Sequence, residues 1–237
     1  MRPVRLNLAL ASLFAVGSAC FALGSVPAYA NAVGATADSV TFFVGSLFFT
    51  AASFLQLVQA QTPAMTGVDG RSQHVPSRLV LGAWLPQDRG WLSAAVQLPG
   101  TLFFNISTLA ALVHNATVQQ QDRHVWRPDL FGSILFLVAS ALALLAARSL
   151  RTGPSRTWPL AIGWVNMAGS VFFMASALGS FVLPSTGGLV DVPVAVGGTF
   201  LGALCFLVGA LLLLPAWRAA LTVAPPAVHP IETRSPT

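Results

Sequence analysis

Lysine is absent from this chain of 237 residues, so all 12 basic side chains are arginine. Charge of either sign is scarce. Asp, Glu, Lys and Arg make up 8% of the residues, against about 25% in a soluble domain. The few charges avoid the apolar runs, and 55% of the residues are hydrophobic. That distribution excludes a large soluble core and identifies an integral membrane protein surrounded by lipid. The two cysteines, Cys20 and Cys205, both lie in apolar stretches, which excludes a disulfide framework and a cysteine-based metal spacing. A pI of 11.0 ordinarily raises nucleic acid as a partner. Here the arginines occupy short connections, where they orient the chain in a bilayer; no nucleic-acid partner is expected.

Six segments have the roughly 20 apolar residues that a helix needs to cross a bilayer. They are Leu6 to Tyr29, Val40 to Val58, Trp91 to Val113, Leu130 to Ala147, Trp158 to Leu183 and Val194 to Leu214. Turn signals separate them, among them Pro27, Pro63, Pro86, Pro128, Gly153-Pro154, Pro184 and Pro215. The fold class is therefore an all-α membrane protein, a six-transmembrane-helix bundle over residues 1–217 with a disordered tail over residues 218–237.

Arginine sets the orientation. With the N-terminus in the cytoplasm, Arg2, Arg5, Arg71, Arg78, Arg89, Arg148, Arg151, Arg156, Arg218 and Arg234 are inside, and only Arg123 and Arg127 are outside. The positive-inside rule then places both termini in the cytoplasm, with the protein in the inner (plasma) membrane. Arg2, Arg5 and Ala28-Tyr29-Ala30 also resemble a secretory signal cleaved after Ala30. The run from Leu6 to Val26 is longer than such a signal needs, and retention is expected.

One pattern recurs in all six runs: a glycine, a phenylalanine four residues on, and a small residue three further. The instances are Gly17/Phe21/Gly24, Gly45/Phe49/Ala52, Gly100/Phe104/Ser107, Gly132/Phe136/Ala139, Gly169/Phe173/Ser176 and Gly202/Phe206/Gly209. These positions share one stripe of a helix. Lipid tails are as apolar as leucine, so membrane helices associate through close packing at small residues rather than through burial. The glycines are expected to form grooves and the phenylalanines to fill the groove of a neighbour. Ser18, Ser46, Thr101, Ser133 and Ser170 follow five of the glycines and supply hydroxyls for hydrogen bonds between or within helices.

Val44-Gly-Ser-Leu-Phe-Phe-Thr in the second run parallels Pro99-Gly-Thr-Leu-Phe-Phe-Asn in the third, and Cys20-Phe21 parallels Cys205-Phe206. A duplicated hairpin accounts for this. The stretches from Phe43 to Thr50, from Gly100 to Asn105 and Trp126-Arg-Pro-Asp-Leu-Phe-Gly-Ser make the chain resemble the YrhK-like bacterial integral membrane proteins. The resemblance implies a small helical membrane domain and carries over no catalytic residue.

No Asp, Glu, Arg or Lys lies deep in a run, which weighs against an ion-coupled transporter or proton pump. Gln56, Gln97, Asn105 and Asn166 are the main intramembrane amides, to be read as bonds between helices or as the lining of a polar pathway. Between the third and fourth runs, His114, Asp122, His124, Trp126 and Arg127 form the richest polar stretch. His114, Asp122 and His124, with Asp38 and Asp191, are oxygen and nitrogen donors without a metal-ligand spacing. Asp129, after Pro128, is expected in the first turn of the fourth helix, favoured by the helix dipole. No metal and no cofactor is expected.

The leading reading is a non-enzymatic multi-pass membrane protein, a packing or interaction module that associates with itself or with another membrane protein. The alternative is a channel or carrier for a small neutral solute, using the four amides. An interfacial enzyme acting on lipid headgroups through His114, Asp122 or His124 ranks last, because no nucleophile–base pattern accompanies them.

Overall fold

The computed structural model of the chain describes residues 3–61, 82–113, 117–150 and 154–223. Helix α1 (Pro3–Gly24) stops short of the expected Tyr29. The residue before a proline is pushed out of the helical region, and Val26, before Pro27, is extended at φ −88° and ψ 114°. A separate short helix, α2 (Pro27–Val33), follows and ends at Gly34, whose φ of 84° suits glycine. Then come α3 (Ala35–Gln61), α4 (Arg89–Leu112), the single turn α5 (Val118–Gln121), a π turn over Asp122–Trp126, α6 (Arg127–Ser149), α7 (Pro154–Gly179) and α8 (Val192–Val223). Among the described residues, six helices are long and apolar enough to cross a membrane. Among the described residues there is no β-strand beyond an isolated bridge between Val182 and Leu189.

Three further boundaries correct the sequence reading. The fifth span ends at Gly179 rather than Leu183, because residues 180–191 turn back through the Val182–Leu189 bridge. The fourth starts earlier than Leu130, since α5, the π turn and α6 run on without a break. An α-helix would press a proline ring against the carbonyl four residues before it; the wider π turn ahead of Pro128 relieves that contact. Finally, α8 continues through Pro215 to Val223, where a disordered tail was expected from residue 218. Ala216, Ala219, Ala220 and Leu221 are strong helix formers and carry the helix past the one hydrogen bond that proline removes. Residues 224–237 of that tail lie outside the described residues, as do 62–81 of the connection after α3.

The long helices stand in a closed ring in chain order: α1 packs on α3, α3 on α4, α4 on α6, α6 on α7, α7 on α8, and α8 returns to α1. Within this ring the chain forms three hairpins, α1/α3, α4/α6 and α7/α8. Each is joined by the same reciprocal contact. In the first, a Cβ on Gly17 would stand 3.2 Å from Cδ2 of Phe49, and one on Gly45 would stand 3.0 Å from Cδ2 of Phe21. In the second, Gly100 faces Phe136 at 3.0 Å and Gly132 faces Phe104 at 2.9 Å on the same measure. In the third, Gly169 faces Phe206 at 3.1 Å and Gly202 faces the ring of Phe173. Gly17, Gly45, Gly132, Gly169 and Gly202 also face the carbonyl oxygen of the partner glycine, so the two main chains of each hairpin approach closely.

The six phenylalanines meet at the centre as one cluster of Phe21, Phe49, Phe104, Phe136, Phe173 and Phe206. Edge-to-face pairs link them within hairpins, as Phe104–Phe136 at 5.0 Å and Phe173–Phe206 at 5.2 Å. They also link across hairpins, as Phe49–Phe206 at 6.2 Å and Phe104–Phe173 at 5.9 Å. Such geometry places ring edges on ring faces, the arrangement the aromatic quadrupole favours. The residue after each glycine is sealed inside: Ser18, Ser46, Thr101, Ser170 and Ala203 are 0% exposed and Ser133 1%. Outward faces carry the opposite chemistry. Leu102, Ile106 and Leu109 on α4, and Phe131, Val138 and Leu145 on α6, are exposed and apolar, as a lipid-facing surface requires.

Candidate functional site

Above the phenylalanine cluster, at the end that carries the three hairpin connections, lies a cavity of about 860 Å³. All six long helices contribute to it: Gly24 of α1, Asp38 of α3, Ser107 of α4, Asp129 of α6, Ser176 of α7 and Thr199 of α8. The lining follows the three-hairpin register. Counting back three residues from Gly45, Gly132 and Gly202 gives Phe42, Asp129 and Thr199, and counting back seven gives Asp38, Val125 and Ala195. All six line the cavity, which therefore sits on the common axis of the hairpins.

Its floor is aromatic. Phe42 packs edge-to-face on Phe21 with ring centroids 5.4 Å apart, joining the floor to the central cluster. One wall is fixed by Trp126, whose indole N–H donates to the carbonyl of Ala177 at 2.8 Å while its ring lies 4.7 Å from that of Phe181. The π turn aims Trp126 across the second and third hairpins. Two further bonds hold the rim: Ser107 donates to the carbonyl of Val125 at 2.8 Å, and Ser176 to that of Ala195 at 2.6 Å.

Asp38 and Asp129 are the acidic groups of the cavity. Oδ1 of Asp38 is buried without a hydrogen-bond partner. Asp129 lies in the first turn of α6, just after Pro128, as the sequence reading expected. The π turn and α5 lead into that first turn without a break. Among the described residues neither carboxylate takes part in an ion pair; the salt bridge present is Arg127 to Asp122 at 2.7 Å. That exposed pair lies beside a second depression of about 540 Å³ lined by Thr117, Trp126 and Phe181.

The remaining polar candidates are dispersed. Asp191 accepts from the backbone N–H of Val194 at 2.9 Å and caps α8. His124 is exposed, and His114 falls outside the described residues. Among the described residues no three His, Cys, Asp or Glu side chains gather as a metal site would require.

Of the four amides, none lines the cavity. Gln97 donates to Ser53 at 3.3 Å across α3 and α4. Asn105, with its amide oriented to suit its neighbours, donates to the carbonyl of Ser46 at 2.9 Å and accepts from Thr50 at 2.8 Å in the same seam. Asn166 packs on Gly209 of α8, and Gln56 is half-buried on α3.

The seam between the second and third hairpins is also polar. Ser170 donates to the carbonyl of Phe136 at 3.1 Å, Ser133 to that of Phe173 at 3.4 Å, and the hydroxyls of Ser140 and Ser170 are 2.7 Å apart. On α1, by contrast, the hydroxyl of Ser18 is buried without a partner.

The carboxylates of the cavity were visible in the sequence, but their association was not. Aligning the even-numbered runs on their glycines reveals it, because positions three and seven residues earlier share one level of the bundle. No protein-family model matches the chain, and no curated protein or solved structure is detectably similar to it.

Proposed function

We propose that this chain is a non-enzymatic multi-pass protein of the inner (plasma) membrane whose six-helix ring is closed to passage and serves as a binding and interaction module. The observation that carries this reading is the cavity lined by Phe42, which packs against the cluster of six phenylalanines. A mouth open at one end above an apolar aromatic plug suits binding; a pathway for solute needs a polar or wetted route.

The polar side chains support the same reading. Gln97, Asn105, Ser133 and Ser170 bond across helix seams, the use expected of packing groups in a membrane. The arginine distribution gives the orientation, with both termini in the cytoplasm and the cavity on the opposite side. The outward apolar stripes on α4 and α6 meet lipid or a second membrane chain, which makes self-association or a membrane partner part of the reading. The likeness of the segments around Gly45, Gly100 and Gly132 to YrhK-like proteins belongs to the same proposal.

Two measurements test it. In liposomes, the wild-type protein is expected to pass glycerol no faster than the lipid alone; flux above that background contradicts a closed bundle and favours the carrier. Mild-detergent purification followed by mass spectrometry tests the partner, and recovery as a lone monomer contradicts it.

A further inference from the structure

We propose that the cavity at the connected end of the bundle binds a small organic cation, an ammonium group on a compact apolar body, with Asp129 and Asp38 as its charge partners. This rests on reading the bundle as a closed binding protein and names the ligand that its mouth would take.

Three features converge. A volume of about 860 Å³ lies within the roughly 300–1,000 Å³ typical of sites for small molecules. Within it, Oδ1 of Asp38 is buried with no partner, and Asp129, in the first turn of α6, lines the same space with no ion pair among the described residues. A carboxylate oxygen sealed from water is costly unless something pairs with it. The nearest arginine in sequence, Arg127, is tied to Asp122 outside this cavity.

The walls decide the class of cation. Val125, Val182 and Leu189 are apolar, and Phe42 and Trp126 present aromatic rings, which attract an organic cation through their faces. A bare divalent ion would ask for six or more oxygen ligands. Two carboxylates with scattered hydroxyls such as Ser39 and Thr199 do not supply that set. An ammonium asks only for a negative partner and a few acceptors, and its apolar body matches the remaining surface.

The test uses the full chain in lipid nanodiscs, with phenethylamine as probe, 2-phenylethanol as its neutral counterpart and calcium chloride as the competing ion. Saturable calorimetric binding of the amine is expected below about 1 mM, with none for the alcohol and no displacement by calcium. Asp129→Asn and Asp38→Asn should each weaken binding about tenfold or more, a loss of ~1.4 kcal/mol. Asp88→Asn, which keeps the cap at the start of α4 away from the cavity, should leave it unchanged. Thermal unfolding of each variant shows whether it is folded, and if one carboxylate variant fails to fold the other carries the test. Equal binding of amine and alcohol, displacement by calcium alone, unchanged affinity in the folded variants, or no binding at all would overturn the proposal. A liposome flux arm with the same amine keeps the two ideas apart. Binding without flux supports both, flux contradicts the closed bundle, and absence of binding contradicts only the ligand.

Discussion

Phe104 fills the notch at Gly132: a Cβ on that glycine would stand 2.9 Å from two atoms of the Phe104 ring and 3.1 Å from the carbonyl oxygen of Gly100. The ring has no room to retreat, because it is 3% exposed and packed against Phe21, Phe136 and Phe173. The same relationship, repeated in three hairpins, turns a sequence pattern into a closed ring with an aromatic centre.

Two glycines of α8 should therefore respond oppositely to one methyl group. At Gly202 a Cβ collides with the ring of Phe173 and approaches the carbonyl of Gly169, whereas at Gly197 it meets nothing within 4 Å. Gly202→Ala is expected to destabilise by about 1–3 kcal/mol through overpacking. Gly197→Ala should be neutral or stabilising by up to ~1 kcal/mol, because alanine is the better helix former. Thermal unfolding in detergent distinguishes them.

The central rings should matter far more than the outer ones. Phe136 is 1% exposed and Phe131 is 50% exposed on the same helix. Phe136→Ala is expected to cost about 3–5 kcal/mol by leaving a cavity in the cluster. Phe131→Ala, on the lipid face, should change the unfolding midpoint little. Equal effects of the two would remove the cluster from the account.

Buried serines should split by whether they have a partner. Ser170 bonds to Phe136 and Ser140, so Ser170→Ala should destabilise by roughly 0.6–2 kcal/mol. Ser18 is buried with its hydroxyl unsatisfied, so Ser18→Ala should be neutral or stabilising, since it removes a polar group that gains nothing. Denaturation of both variants in one detergent gives the two signs.

Orientation is testable with an impermeant maleimide on intact cells. In a background carrying Cys20→Ala and Cys205→Ala, Thr117→Cys at a hairpin connection should label, and Arg218→Cys at the opposite end should not. The reverse pattern would contradict cytoplasmic termini.

Much of this architecture is legible in the sequence because membrane helices announce themselves by length and apolarity. The six runs and the glycine–phenylalanine stripe need only counting. What escapes is partnership. The likeness between the second and third runs pairs helices of neighbouring hairpins, whereas the reciprocal contacts join Gly17 to Phe49 and Gly45 to Phe21. Prolines were equally ambiguous, since Pro27 ends a helix, Pro215 lies within one and Pro128 follows a π turn. A proline's effect depends on whether the surrounding turn can widen or forgo a hydrogen bond, and no local signal states that. The cavity was hidden for the same reason. Asp38 and Asp129 are remote in sequence, and only the ring order brings them to one space.

The most direct test of the glycine–phenylalanine lock is a double-mutant cycle between Gly132 and Phe104, read by unfolding free energy. Gly132→Ala should destabilise the wild-type protein by about 1–3 kcal/mol and lose most of that penalty in a Phe104→Leu background, where the ring that the methyl group meets is gone. An unchanged penalty in both backgrounds, or none in either, would mean that the notch and the ring do not hold the hairpin together.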